Sequence, residues 1–243
     1  MTQDSKQKTI VITGGSTGIG LAIVKHLLDA GFSVINLARR AVPFEHECLE
    51  NFDIDLTDRA QLTKICQQLE SKDVYGFIHN AGIIRANLIE DVSLAELDEL
   101  NQLHLGAAIQ LVQTLIPNMK SNGIGRIVLT SSRASVGMKT RTSYSATKAA
   151  QIALARTWAL ELGEFGITAN TVAPGPIQAT EMFHDVVPEN SPVLEQMAAK
   201  IPVRRLGEPD DVAKAVLFFI DEQSGFVTGQ NLFVCGGTSI ESG

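Results

Sequence analysis

The sequence predicts an α/β fold of three layers, a parallel sheet of about seven strands with helices on both faces. Two observations predict it. Short apolar runs alternate with longer segments of helical periodicity along the 243 residues. Several of those runs are apolar almost without interruption, as strands covered on both faces are. A third observation bears on organisation: no internal repeat or low-complexity linker divides the chain, so one domain over 1–243 is expected.

In chain order, TIVIT (9–13), SVINLA (33–38), CLENFDI (48–54), YGFIHN (75–80), RIVLTS (126–131), ITANTVA (167–173) and NLFVC (231–235) read as the strands. The first helix is GIGLAIVKHLLDAG, where Ile19, Ile23 and Leu27 recur every fourth residue and Gly31 stands where a helix would end. DRAQLTKICQQLES follows Thr57, read as its N-cap. SLAELDELNQLHLGAAIQLVQTLIPNM is long enough for one extended helix or two successive ones, and SYSATKAAQIALARTWALELGEFG and EPDDVAKAVLFFI complete the set. Residues 176–203, rich in Pro and Met, interrupt the alternation and read as a substrate lid or a surface excursion, with Met182, Phe183, Val186 and Val187 as the lid's apolar face or as ordinary packing of the segment.

Composition narrows the function. Lys and Arg total 20 against 27 Asp and Glu, a formal charge of -7, which argues against a nucleic-acid footprint or a polybasic membrane anchor. Cys48, Cys66 and Cys235 are odd in number and lack metal-ligand spacing; they fit thiols in a reducing compartment, and no metal site is expected. The opening MTQDSKQKTIVITGG has no apolar run with a cleavage site, and no stretch is long enough to span a bilayer, so a cytoplasmic protein is expected.

TGGSTGIG (13–20) joins the first strand to the first helix. Its glycines, Gly14, Gly18 and Gly20, allow a tight turn and close approach to a pyrophosphate, for which the helix N-terminus offers unpaired N–H groups. At the end of the second strand, where an acidic residue would accept an adenosine 2′-hydroxyl, the sequence has Ala38 followed by Arg39 and Arg40. Positive charge there suits a 2′-phosphate, so NADP(H) is favoured over NAD(H). Further along, TSYSATKAA puts Tyr144 and Lys148 one helical turn apart.

In order and spacing, TGGSTGIG, DLT (55–57), HNAG (79–82), TSS (130–132), Tyr-x-x-x-Lys (144–148) and NTVAPGPI (170–177) resemble the short-chain dehydrogenases/reductases, over almost the whole chain. The resemblance implies a doubly wound, Rossmann-type sheet. It implies that Gly14, Ser16, Thr17, Gly18, Ile19 and Gly20 hold the dinucleotide, that Asp55 and Leu56 border the adenine, and that Asn80, Ala81 and Gly82 line the ribose side. Pro174, Gly175, Ile177 and Thr180 would sit near the nicotinamide, although Gln178 and Ala179 stand where relatives often have one residue. Tyr144 would be the general acid, with Lys148 favouring its phenolate by charge. Both would also contact the cofactor. Ser132 would bind the substrate oxygen, with Ser131 as the alternative.

One departure concerns proton supply. Relatives carry N-[LV]-x-G in the fourth helix, with an asparagine that anchors a water leading to the lysine; this chain has HLGA, so His104 takes that place and Asn101 lies one turn earlier. An imidazole can hold the same water, and its titration near neutrality would make the relay pH-sensitive; the alternative reading is a histidine satisfied by local hydrogen bonds, with a slower or rewired relay. Cys235 likewise replaces the family's usual aspartate and is read as a small buried apolar residue.

The substrate is indicated less sharply. GIIRANLIEDV (82–92), with Arg85, resembles the corresponding loop of 3-oxoacyl-[acyl-carrier-protein] reductases, but the two basic positions that meet the acidic carrier there align with Gly123 and Phe165 here. A small or carrier-bound carbonyl compound is the expected substrate and an acyl carrier protein a possible partner; Arg133, Lys139 and Arg141 form a local basic cluster that could meet either. An NAD-linked alcohol dehydrogenase and a dinucleotide-binding partner subunit are the competing expectations. The resemblance also implies a homotetramer built partly on the helix of residues 143–163.

Overall fold

The computed structural model describes residues 7–180, 183, 191 and 193–240. Seven parallel strands run in the order β3-β2-β1-β4-β5-β6-β7. They are β1 (Thr9–Thr13), β2 (Ser33–Ala38), β3 (Leu49–Asp53), β4 (Gly76–His79), β5 (Gly125–Thr130), β6 (Ile167–Pro174) and β7 (Asn231–Val234). The helices are α1 (Gly18–Asp29), α2 (Arg59–Leu69), α3 (Leu94–Asn101), α4 (Ala107–Asn122), α5 (Thr142–Leu162), α6 (Val193–Lys200) and α7 (Pro209–Ile220). The order reverses between β1 and β4, the switch point at which open α/β sheets place their ligands.

Alternate side chains of each strand point to opposite faces. Ile10, Ile12 and Val34 pack with α1 and α7 on one side. Val11, Ile35 and Leu37 pack with α2, α4 and α5 on the other. β4, β5 and β6 are buried at every residue, which explains their nearly unbroken apolar sequences. β3 lies at the sheet edge, where Glu50, Asn51 and Asp53 are exposed. No helix among the described residues is long and apolar enough to cross a membrane.

Three details differ from the sequence expectations or resolve them. The N-cap of α2 is Asp58, not Thr57: its carboxylate accepts from the amides of Ala60 (2.8 Å) and Gln61 (3.2 Å). Thr57 instead donates its hydroxyl to Asp55 at 2.7 Å, closing a turn before the helix. The long segment 93–119 is two helices joined by a π turn over Gln102–Gly106, in which the Ala107 amide bonds back to the Gln102 carbonyl. Of the expected lid, residues 176–180, 183, 191 and 193–203 are described, α6 among them, whereas Met182, Val186 and Val187 lie outside the described residues.

His79 ends β4 and is fully buried. Its Nδ1 meets the Thr13 hydroxyl at 3.1 Å and its Nε2 the Leu103 carbonyl at 3.1 Å. The Thr13 oxygen also accepts from the amides of Asn80 and Ala81. A hydrogen on Nε2 satisfies every member of this chain, with Nδ1 as the acceptor. Burial, followed by the nearby Lys148 charge, pushes the imidazole down to about 3. The folded pKa therefore lies below the unfolded one, and the unfolded chain binds the extra proton between pH 6.5 and about 3. Stability from this site is present above pH 6.5 and is lost as pH falls, by up to about 1.4 kcal/mol per unit. Urea unfolding across this range should show that loss, with a shallower slope in His79→Asn; parallel slopes would disprove the assignment.

Candidate active site

The glycine loop is shaped by contacts that leave no room for side chains. Gly14 has φ +69°, and a Cβ there would lie 2.9 Å from Ala81 Cα. A Cβ on Gly20 would overlap the Gly14 carbonyl oxygen at 1.9 Å. Asn36, fully buried on β2, accepts the Gly15 amide at 2.8 Å and donates to Asn51 at 3.0 Å. Asn51 in turn accepts the Val42 amide at 3.0 Å. One amide pair thus connects the glycine loop to the chain just after Arg39 and Arg40. Periodicity marked Asn36 only as a strand residue, and its polarity within an apolar run was the available signal.

α1 begins at Gly18 after Thr17, with no side-chain cap and no acidic residue in its first turn. Its N-terminal amides and dipole are therefore suited to an anion, and with the glycine cradle they fit a dinucleotide pyrophosphate. Asn80 donates its Nδ2 to the Gly14 carbonyl at 3.0 Å, joining HNAG to this loop. The extra residue before Thr180 is absorbed by Ala179, at φ +56°. Thr180 consequently reaches the loop: its Cγ2 would be 3.1 Å from a Cβ on Gly18. Ile177 is buried, and Gly175 abuts Cys235 so closely that a Cβ would lie 2.7 Å from Cys235 Cα. Cys235 is thus a small packing residue as expected, with its thiol 3.2 Å from the Ser239 hydroxyl. Leu56 is buried, Asp55 accepts from Thr57, and Arg39 and Arg40 stand exposed at the end of β2. Ser16 and Ile19 lie within the loop and at the start of α1.

Ser132, Tyr144 and Lys148 converge beyond the end of β5. Ser131 and Ser132 part ways here. Ser131 is buried and donates to the Lys148 carbonyl at 2.7 Å, anchoring α5. Ser132 caps the short turn Arg133–Val136 by accepting the Ala134 amide, and its side chain acts on the Tyr144 phenol to favour the ionised form. Lys148 Nζ donates to the Thr130 carbonyl at 2.7 Å and to Gln151 Oε1 at 3.2 Å. Its ammonium lies 5.7 Å from the centre of the Tyr144 ring. Burial pushes Lys148 down to about 7. Burial also raises the Tyr144 phenol, against smaller opposing effects of Ser132 and Arg141. The expectation that Lys148 tunes the phenol downward is therefore not met in the chain by itself, where loss of water outweighs the charges nearby.

His104 lies beside Tyr144. It is fully buried in the π turn. Its Nδ1 lies 2.9 Å from the Thr147 hydroxyl and its Nε2 accepts the Ile83 amide at 3.4 Å. Burial, then the charges of Lys148 and His79, hold it well below the usual histidine range. It is a neutral ring at physiological pH, packed edge-on 5.8 Å from Tyr144. Both ring nitrogens therefore have partners within the chain, and burial disfavours the charged form of the ring. Asn101 is the last residue of α3. Gly82 explains its own identity, because a Cβ would lie 3.1 Å from His104 Nε2 and 3.3 Å from Lys148 Nζ.

The loop 82–92 is braced beside this site. Arg85 grips Glu99 through two nitrogens, at 2.8 to 3.1 Å, and the Asn87 amide donates to Thr140. In the basic cluster, Arg141 bonds the Thr140 carbonyl and hydroxyl, Lys139 is exposed, and Arg133 lies in the turn after Ser132. At the positions of the carrier-binding cations, Gly123 ends α4 in a left-handed conformation and Phe165 lies under Lys120, 4.0 Å from its ammonium.

Comparison with known proteins agrees with this geometry. A family model described as enoyl-(acyl carrier protein) reductase matches residues 14–239. The chain is 33% identical over 251 residues to the (2S)-[(R)-hydroxy(phenyl)methyl]succinyl-CoA dehydrogenase subunit BbsD of Thauera aromatica, covering 98% of this chain and 99% of that one. It is 32% identical over 240 residues to the 3-oxoacyl-[acyl-carrier-protein] reductase FabG of Buchnera aphidicola, covering 95% and 97%. The crystal structure of a gluconate 5-dehydrogenase from Burkholderia cenocepacia, in complex with NADP and tartrate, superposes with a TM-score of 0.88 at 26% identity, covering 97% and 96%.

The cradle makes a quantitative prediction. Gly14→Ala meets both a left-handed φ and a backbone contact, whereas Gly31→Ala has φ +83° with nothing within 4 Å. Chemical denaturation should show Gly14→Ala to be the more destabilised, by about 1–3 kcal/mol. Equal losses would mean that the Ala81 contact does not constrain the loop.

Proposed function

The chain belongs to the short-chain dehydrogenase/reductase family of oxidoreductases acting on CH–OH and C=O groups, and on that premise we propose that it works with NADP(H) on a carbonyl or secondary alcohol, reducing a 3-oxoacyl thioester or similar ketone. The observation that carries this reading is the convergence of Ser132, Tyr144 and Lys148 beside the glycine cradle.

When bound, the nicotinamide supplies or accepts the hydride. The chain has to orient the carbonyl and manage one proton. Hydride addition at carbon leaves negative charge growing on oxygen. Tyr144 Oη gives its proton to that oxygen, and Ser132 Oγ donates a hydrogen bond to it. The raised phenol stays protonated until that charge develops. The Lys148 ammonium then stabilises the phenolate left behind. Lys148, at about 7, is poised to change charge close to neutrality. His104 acts here as a neutral wall behind Tyr144 and Lys148 rather than as an acid or base.

The NADP(H) preference is supported by Arg39 and Arg40 following Ala38 at the end of β2, held beside the glycine loop by the Leu37 carbonyl, which accepts the Gly14 amide at 2.9 Å. The thioester class is supported by the printed names of two relatives, which concern a CoA ester and a carrier-bound acyl chain. Gly123 and Phe165 serve local structure where a carrier-binding cation would stand, which favours a smaller thioester over carrier dependence. Arg133, Lys139 and Arg141 remain as the groups that would meet a phosphorylated handle. A homotetramer in the cytoplasm completes the proposal; Leu160 on α5 is 87% exposed in the single chain, as an interface residue would be.

A panel of ketones and 3-oxoacyl thioesters with NADPH and NADH tests the reading. Tyr144→Phe should lower kcat about 10²- to 10⁴-fold with little change in thermal stability. Arg39→Ala should lower kcat/KM for NADPH about tenfold, equivalent to about 1.4 kcal/mol, and leave NADH unaffected. Full activity in Tyr144→Phe would overturn the site, and a wild-type preference for NADH would establish the NAD-linked alternative.

A further inference from the structure

Gln151 stands one turn beyond Lys148 on α5 and is fully buried. Its Oε1 accepts from Lys148 Nζ at 3.2 Å, and its Nε2 donates to the His104 carbonyl at 3.1 Å. The amide can stand only one way round, because Nζ has only protons to give and a carbonyl has none. In an α-helical turn the Leu103 carbonyl would go to the Ala107 amide; here Ala107 bonds to Gln102 and the Leu103 carbonyl meets His79, while the next carbonyl, that of His104, accepts from Gln151.

We propose that Gln151 is a positioning residue for the reaction: it clamps Lys148 Nζ between the π turn and the end of β5, and by accepting its hydrogen bond keeps the buried amine in its charged form. The proposal rests on the functional reading above only for its consequence in catalysis; the clamp itself is a property of the folded chain. The groups facing Lys148 are Tyr144 on its own helix, His104 from the π turn and His79 from β4, with Thr130 offering its carbonyl from β5. Arg141 acts on Tyr144 from the start of α5. Burial favours the neutral form of both histidines, so neither adds a positive charge beside the ammonium. The ammonium is held by the hydrogen bonds it donates to neutral acceptors, and Gln151 provides the side-chain one. The amide occupies the link between Lys148 and the π-turn carbonyl. Unlike a water, it cannot pass a proton along by simply reorienting.

The test is a titration of the Lys148 side chain by NMR in protein labelled at lysine Cε, with Lys148→Met identifying the resonance. It requires neither cofactor nor substrate, so it can succeed or fail independently of the proposed reaction. In Gln151→Met, whose side chain has nearly the same length without the amide, the Lys148 midpoint should fall by at least about half a pH unit. Gln151→Leu provides the same loss if the methionine variant does not fold. With an active substrate in hand, the high-pH limb of kcat for ketone reduction should move down by the same amount, KM changing less than kcat. Titration curves that superimpose on the wild type would overturn the proposal, as would a limb that stays in place while the Lys148 midpoint moves.

Discussion

A buried ammonium held by neutral groups is the constraint around which this molecule is arranged. Lys148 is 3% exposed, and its bonds go to the Thr130 carbonyl and the Gln151 amide. Burying such a charge costs several kcal/mol unless acceptors are already in place. Each acceptor recruits a different part of the fold. Thr130 must end β5 at the right depth, so β5 must lie between β4 and β6 in its observed register. Gln151 is oriented by the His104 carbonyl, which lies within the π turn. The π turn must in turn be tied to β4 through His79. The chain of dependence ends at Thr13, whose hydroxyl also receives the amides of Asn80 and Ala81 beside the glycine loop. The two halves of the candidate site therefore share one buried polar network.

That network also explains the electrostatics. Four titratable groups near the site are displaced for the same reason, removal from water. The effect lowers the cationic forms of Lys148, His79 and His104 and raises the phenol of Tyr144. In the chain alone both Tyr144 and the histidines favour their neutral forms. The interior thus holds one proton ready on the phenol and one labile charge on the amine, whose bonds among the described residues go to neutral oxygens.

Much of this was legible in the sequence. Strand positions followed from unbroken apolar runs, because burial on both faces of a parallel sheet leaves that mark. The glycine cradle and the Tyr144–Lys148 pair were visible because their chemistry fixes residue type and spacing. What escaped reading depends on partners distant in sequence. Gln151 looks like any polar residue in a helix until His104 and Lys148 are placed on either side. His104 reads in the sequence either as a relay or as a locally bonded ring, and its burial and its partners Thr147 and Ile83 come from distant parts of the chain. Ser131 and Ser132 are interchangeable as letters, but successive residues leaving a strand face different ways. Asp58 rather than Thr57 capped α2 because Asp55 captured the threonine hydroxyl first.

The π turn carries one further consequence. It is equivalent to a single residue inserted into a continuous helix, and one residue turns the helix by about 100°. On the near side of that turn, Leu100 of α3 packs with Ala134 and Tyr144. On the far side, Leu111 and Leu115 of α4 face the large core around Phe77. A straight helix could not aim both groups correctly. The insertion acts as a phase shift that lets a single stretch of chain serve two masters, one end tracking the geometry of the reaction and the other the geometry of the core. Changes in either can then accumulate in evolution without putting the other out of step, provided that the joint between them keeps its length.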